Sequence, residues 1–299
     1  MSLVAFLGAL ETGLIFSLVA LGVFLAFRVL NFPDLTVDGS FAFGAAVSAV
    51  LIVKGWNPYL ATAAAIAAGT VAGLCTGYLN VRLRVLNLLA SILTMIGLYS
   101  INIRIMGGPT VPLLGQASVI SPLSGIGIPA PWLTPAYFLI VALAAWASFA
   151  WFLHTESGLA LRATGANPLM ARANGARTDR LTLLGLAVTN ALTALAGSLF
   201  AQLQGAADAS MGIGTIIIGL AAVIGGAALV PARSLAAATA AWVVGALVYH
   251  VVVAAALNAT TLGLTASDVN IVTAVLVCAA LVFSGKAASL GGRLRARGR

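Results

Sequence analysis

Residues 31–46 read NFPDLTVDGSFAFGAA, and the fold turns on how this stretch is understood. It holds two of the chain's seven acidic residues, Asp34 and Asp38, while Phe41–Val53 just downstream is apolar enough to face lipid. Of the 299 residues, 61% are hydrophobic and 7% charged, against about 25% charged in an average soluble domain. A soluble chain of this length needs a charged surface, and these residues cannot build one. The expected fold class is therefore all-α, a polytopic membrane protein forming one transmembrane domain over 1–299.

The first residues, MSLVAFLGALETG, have no basic segment and carry Glu11, so they are not read as a cleaved signal. Cys75 and Cys278 fall in apolar runs without metal-ligand spacing and are expected to be small packed residues.

A helix needs about 20 mostly apolar residues to cross the hydrocarbon core. That rule gives nine spans, within a range of eight to ten: Leu14–Phe27, Val37–Val53, Tyr59–Leu79, Leu86–Ile103, Pro135–Leu153, Leu181–Leu203, Gly212–Leu229, Leu235–Leu257 and Val269–Phe283. The first is short and is expected to extend backwards. The second and seventh are interrupted by glycine at their starts, as broken helices lining a protein-enclosed cavity are.

Basic residues set the orientation. With Arg28, Arg82, Arg84, Arg162–Arg180, Arg233 and the tail at 286–299 in the cytoplasm, thirteen Lys and Arg lie inside and only Lys54 and Arg104 outside. The N-terminus is then external and the C-terminus cytoplasmic. The same grouping accounts for the net charge of +8 without nucleic acid. Residues 107–134 become an external Pro/Gly-rich loop, and 154–180 the longest cytoplasmic loop.

DLTVDGSFAFGAA from Asp34 is echoed by DASMGIGTIIIGLAA from Asp208, starting from opposite sides. That is the pattern of an inverted-topology repeat, with chance likeness between Gly- and Ala-rich segments as the alternative.

Within the cytoplasmic loop, Asn167 suits a helix N-cap, Pro168 the first helical position and Gly175 a left-handed stop. The two-turn helix between them shows Leu169, Met170 and Ala173 on one side and Arg172 on another; Thr178 or Asp179 is expected to cap the next span. So short a helix is unstable alone and must pack on something, either its own protein or a groove in another.

GLALRATGANPLMARANGARTDRLTLLGLAVTNALTALAG resembles the cytoplasmic loop and following helix of ABC-importer permeases of the branched-chain amino acid and ribose-type superfamily. The pattern G-x-N-x-x-x-A-x-x-x-G falls on Gly165, Asn167, Ala171 and Gly175, with Ala176 where the family often has Ile. NFPDLTVDGSFAFGAA looks like the signature of a branch similar to tryptophan/tyrosine-type transport permeases, and LAAVIGG at Leu220–Gly226 resembles a later Gly-Gly turn.

The resemblance implies a non-catalytic permease of the bacterial inner membrane, present as a homodimer. Two separate ATPases would bind ATP and magnesium, and an extracytoplasmic protein would deliver a small organic solute, an amino acid of aromatic or branched-chain type. The chain itself has no G-x-x-x-x-G-K-[ST] and is expected to hold no cofactor. By the same resemblance, Asn167–Gly175 is a coupling helix docking on the ATPase. Its implied contacts are Arg162, Gly165, Asn167, Pro168, Leu169, Met170, Arg172, Gly175 and Arg177, with Pro231 and Arg233 as a second patch.

Asp34 and Asp38 stand at the expected cytoplasmic end of the second span, where two roles are open. They can cap and anchor that helix, with Arg28 near enough to pair. Alternatively, Gly39 and Gly44 let the span begin unwound, so that Asp38, Gly39 and Ser40 line the path and favour an ammonium group. Asn87, Ser91 and Thr94 share a face of the fourth span, and Asn190 and Thr193 a face of the sixth, as either helix contacts or path lining. Gln202 and Gln204 are candidates to meet solute at the outer end, and His250 is expected to be packed and hydrogen-bonded.

A secondary transporter or channel working without an ATPase is the competing function. It would need buried coupling carboxylates or a filter, and neither is expected from the sequence. An intramembrane enzyme would need a nucleophile and base at reachable spacing, which the pattern lacks.

Overall fold

The computed structural model describes residues 3–123, 130–229, 235–257 and 275. Its helices are α1 (Leu3–Phe24), running on through a π turn at Leu25–Val29, α2 (Thr36–Val53), α3 (Pro58–Val81) and α4 (Asn87–Met106). Strand β1 (Thr110–Pro112) precedes α5 (Ala130–His154), α6 (Glu156–Ala166), α7 (Pro168–Ala173) and α8 (Thr178–Gln204). Strand β2 (Ala206–Asp208), α9 (Thr215–Leu229) and α10 (Leu235–Leu257) complete the described part.

Seven of these helices are long and apolar enough to cross a membrane, and α9 is a shorter apolar helix of 15 residues. Together they match the first eight expected spans in order. Of the ninth, Val269–Phe283, only residue 275 falls among the described residues; Pro231, Arg233, Cys278 and the tail lie outside them. The first span does extend backwards, to Leu3.

Local chemistry sets the ends. Asn57 caps α3 by accepting from the Tyr59 amide at 2.9 Å, with Pro58 in the first turn. Gly107 (φ +71°) and Gly205 (φ +72°) stop α4 and α8 in the left-handed region.

Helix α1 is the buried centre, packing against α5, α8, α9 and α10. On the other side of α8, α2 and α3 approach closely because small residues meet its backbone. A Cβ on Gly44 or Gly69 would collide with the carbonyl oxygens of Ala194 and Asn190. With lipid outside, such close van der Waals contact has to supply the association that the hydrophobic effect gives in water. Cys75, expected to be packed, is instead exposed on α3.

Strands β1 and β2 pair antiparallel, Thr110 opposite Asp208 and Pro112 opposite Ala206. The ends of α4 and α8 therefore share one face of the molecule. Residues 154–180, expected as a loop with one short helix, hold two. Helix α6 was not foreseen although Thr155 caps it, accepting from the Gly158 amide at 3.3 Å.

Helix α2 runs parallel to α8, since Ser40 meets Asn190 and Gly44 meets Ala194. Helix α9 runs parallel to α1: Ile216 clusters with Leu14–Val23, and Ala222 and Val223 with Phe24 and Leu25. Both short helices follow a long helix and a chain break, and the first turn of each lies beside the other. The echo between Asp34 and Asp208 extends to geometry, because each carboxylate accepts from the amide two residues on, Thr36 and Ser210. These pairings have the form of an inverted repeat.

Candidate functional site

The break between α1 and α2 starts at the exposed Asn31, which shares a cleft with Thr178 and Asp179 at the start of α8, and leads into the helix bundle. Asn190 stands about 18 Å along α8 from Thr178, near the middle of a helix about 40 Å long at about 1.5 Å per residue. Asp34, fully buried, sits beside it. The N-terminus of α2 thus begins partway up its neighbour, and the expectation that buried mid-span acids are absent is wrong for Asp34. The miss is physical: after the π turn the chain turns back into the bundle, with Asn31 at φ +55°, so a residue that looks terminal in sequence is deep in space.

Asp34 does not pair with Arg28. Its Oδ1 accepts from the Thr36 amide (2.9 Å) and its Oδ2 from Asn190 Nδ2 (2.8 Å). Asn190 Nδ2 also donates to the Leu186 carbonyl (2.9 Å), and Asn190 Oδ1 accepts from the Ser40 hydroxyl (2.7 Å). Thr36 meets Thr76 of α3, oxygen to oxygen at 2.7 Å. Every polar group of this set has a partner, which a low-dielectric interior requires. It is a clamp joining α2, α3 and α8, with Ser40 and Asn190 inside it rather than on a cavity wall.

Asp38 does something the sequence did not indicate. Its Oδ1 accepts from the Ile216 amide (2.8 Å) and the Thr215 hydroxyl (2.8 Å), and its Oδ2 from the Gly214 amide (3.1 Å). A side chain on α2 therefore caps α9, where a carboxylate also meets the positive end of the helix dipole. Gly212 lets this segment in, because a Cβ there would strike the Asp38 carbonyl oxygen.

Beside this joint is a cavity of about 330 Å³ lined by Asp38, Gly39, Ala42, Met95, Ile96, Tyr99, Asn102, Ala209 and Ile213. Of the expected path residues, only Asp38 and Gly39 reach it. Ser91 and Thr94 are buried and bond to the Leu88 and Ala90 carbonyls of their own helix, at 2.9 and 3.0 Å. Asn87 accepts from Asn80 of α3 at 2.6 Å. Asn102 and Tyr99 went unnoticed. Asn102 was legible, since it lies on the buried face that carries Ser91, Thr94 and Leu98.

Gln202, a candidate to meet solute, staples the loop to α3: its Oε1 accepts from the Val119 amide (3.0 Å) and its Nε2 donates to Thr62 (3.0 Å). His250 packs as expected, its Nδ1 at 3.0 Å from the Ala246 carbonyl and its ring on Phe16. Outside the spans, the Ser210 hydroxyl holds the Asp208 carboxyl below its ordinary value. The Ser210 amide and Thr110 hydroxyl add to this, against an opposing push from burial.

Helix α7 forms as its local chemistry dictates. Asn167 Oδ1 accepts from the Leu169 and Met170 amides, both at 3.1 Å, Pro168 holds the first turn, and Gly175 takes φ +85°. Leu169 and Met170 are 78% and 61% exposed, two apolar side chains on a two-turn knuckle, while Ala171 is buried against the protein. Arg172 turns back, donating to Thr178 Oγ1 (2.7 Å) and pairing with Asp179 (2.9 Å). Thr178 and Asp179 thus hold Arg172 and do not cap α8, whose N-cap position is Arg177. Gly165 on α6 lies against Val29, where a Cβ would strike the carbonyl oxygen of the π turn.

A family model described as branched-chain amino acid transport system / permease component matches residues 5–285. The tyrosine transport system permease protein of Clostridioides difficile is 36% identical over 279 residues, covering 92% of this chain and 90% of that protein. The ribose import permease protein RbsC of Escherichia coli is 29% identical over 199 residues, covering 66% of this chain and 61% of that one. The solved structure of PsaBC from Streptococcus pneumoniae in complex with Fab matches with a TM-score of 0.50. That match covers 94% of this chain and 88% of that chain at 14% identity, a likeness of fold alone.

Proposed function

This chain belongs to the family of branched-chain amino acid transport system permease components, multi-pass subunits of the bacterial inner membrane that carry no catalysis of their own, and from that premise we propose that its solute is an amino acid with an aromatic or branched apolar side chain. The observation that carries this is the cavity beside Asp38, whose walls are Ala42, Met95, Ile96 and Ile213. Such a wall suits an apolar side chain, and one carboxylate at its edge suits an ammonium group. A sugar would ask for many hydrogen-bonding groups around it. The 36% identity to a tyrosine transport permease agrees with this choice.

Energy enters from a separate ATPase. In the proposed arrangement the 154–180 face is cytoplasmic and the β1–β2 face external. Leu169 and Met170 enter a groove on the ATPase, with Asn167, Pro168 and Gly175 shaping the knuckle and Arg162 and Arg177 at its margin. Arg172 ties the knuckle to α8. Because Gly165 rests on Val29, displacement of α6 and α7 moves the break that leads to Asp34 and Asp38. ATP binding then shifts the population between two packings of α2 against α9, each opening the cavity to one side. Two copies form the path: the cavity opens beside Ile96 and Tyr99 on the exposed side of α4, where a second copy closes it.

The test is reconstitution of the permease with its ATPase and binding protein in vesicles, following ATP-driven uptake of L-tyrosine, L-leucine and D-ribose. Amino acid uptake without ribose uptake is expected, and the reverse result overturns the solute. Leu169→Asp with Met170→Asp is expected to abolish capture of the ATPase; capture at full strength overturns the docking role.

A further inference from the structure

Asn102 is wholly buried, and neither its Nδ2 nor its Oδ1 has a hydrogen-bond partner among the described residues. Buried side-chain amides in folded proteins are nearly always satisfied, so an orphaned one calls for a partner that the protein itself does not supply. Asn102 is among the residues that line the cavity holding Asp38, with its amide beneath the cavity's surface. Elsewhere in the bundle the rule is obeyed: Asn190 uses both of its polar atoms, and Gln202 does likewise.

We propose that the Asn102 carboxamide binds the α-amino-acid head group of the solute, with Asp38 as the second contact. The inference rests on the amino acid reading above and assigns the residue that recognises the head group. A carboxamide offers two N–H donors and a carbonyl acceptor. A carboxylate alone would meet the donors and leave Oδ1 bare, and an amine alone would do the reverse. A zwitterion meets both: its carboxylate accepts from Nδ2, and its ammonium donates to Oδ1 and to Asp38. Asp38 has room for this, since a carboxylate has about four lone-pair sites and α9 fills three of them. The solute's apolar side chain then lies against Met95, Ile96 and Ile213. At about 330 Å³ the space is near the lower end of the roughly 300–1,000 Å³ typical of small-molecule sites, sized for one small solute.

Asn102→Leu tests this, because it keeps the branched four-atom side chain and removes the orphaned groups. A structural asparagine would lose stability on this change. A ligand-binding one leaves the melting temperature of the full chain unchanged or raised, while L-tyrosine uptake in the reconstituted importer falls at least about tenfold, or about 1.4 kcal/mol. A matched control uses 3-(4-hydroxyphenyl)propanoate, the same solute without its ammonium. It should compete poorly with L-tyrosine in wild type, and the gap between the two should shrink in Asn102→Leu. Wild-type uptake of L-tyrosine that Asn102→Leu leaves intact overturns the inference while sparing the amino acid reading. A melting temperature that falls in step with uptake also overturns it. Absence of any amino acid uptake by wild type overturns the reading of the solute itself.

Discussion

Asp38 in α2 accepts a 2.8 Å hydrogen bond from the backbone amide of Ile216 in α9, a residue 178 positions away. The same carboxylate takes the Gly214 amide and the Thr215 hydroxyl, so it is the joint between the two short helices. Asp38→Asn keeps one acceptor but turns an N–H₂ toward donors and removes the charge from the helix end. We expect a loss of about 1–3 kcal/mol of stability, with Thr215→Val costing less because both amide contacts survive. Denaturant titration of the purified chain measures both, and equal losses would show that Asp38 does not act as the cap.

Asp34, Asn190 and Ser40 form one connected set, and connected groups are not additive. Asn190→Ala leaves the Asp34 Oδ2 and the Ser40 hydroxyl without partners in a buried place. A double-mutant cycle of Asp34→Ala with Asn190→Ala should return a coupling energy of about 0.5–3 kcal/mol. A cycle that closes to additivity would mean that the two side chains sit near each other without depending on each other.

What could be read from the sequence was local. Asn167, Pro168 and Gly175 define α7 by contacts within nine residues, and the structure builds that helix as read. Hydropathy located eight helices because the bilayer imposes length on every span. The depth of Asp34 was hidden because it depends on how far α1 travels before turning back against α8. The partners of Asp38 were hidden for a different reason: two of the three are backbone amides, which no residue type announces. Strands of three residues carry too little pattern to be found, and β1 and β2 are held by pairing across the molecule. Asn102 was missed by stopping short. The polar face of α4 was followed from Asn87 to Thr94, and two more steps along the helix reach the orphaned amide.

Gly165 connects the exposed knuckle to the buried break through its contact with the Val29 carbonyl. A methyl group there cannot be absorbed by a rotamer change, since its obstacle is backbone. Gly165→Ala should therefore push α6 away from the π turn while leaving Leu169 and Met170 able to dock. The expected result is an importer that still captures its ATPase and hydrolyses ATP but moves less solute per ATP. Uptake and phosphate release measured on the same vesicles decide it: a ratio equal to wild type would break the proposed link between α6 and the break before α2.

The two-stranded sheet of β1 and β2 should respond to acid through Asp208. The Ser210 hydroxyl, the Ser210 amide and the Thr110 hydroxyl all donate to its carboxylate, and its folded pKa lies below the ordinary one. The ionised form is the one the fold prefers. Its contribution is complete above the unfolded value of about 3.9 and is lost as pH falls through the lower folded value. Protection against amide hydrogen exchange at Ala209, whose N–H bonds the Pro109 carbonyl at 2.9 Å, should hold from neutral pH to about 4 and decline below that. Asp208→Asn should show weaker protection at neutral pH and no acid step. An acid step that persists in Asp208→Asn would assign the titration to another group.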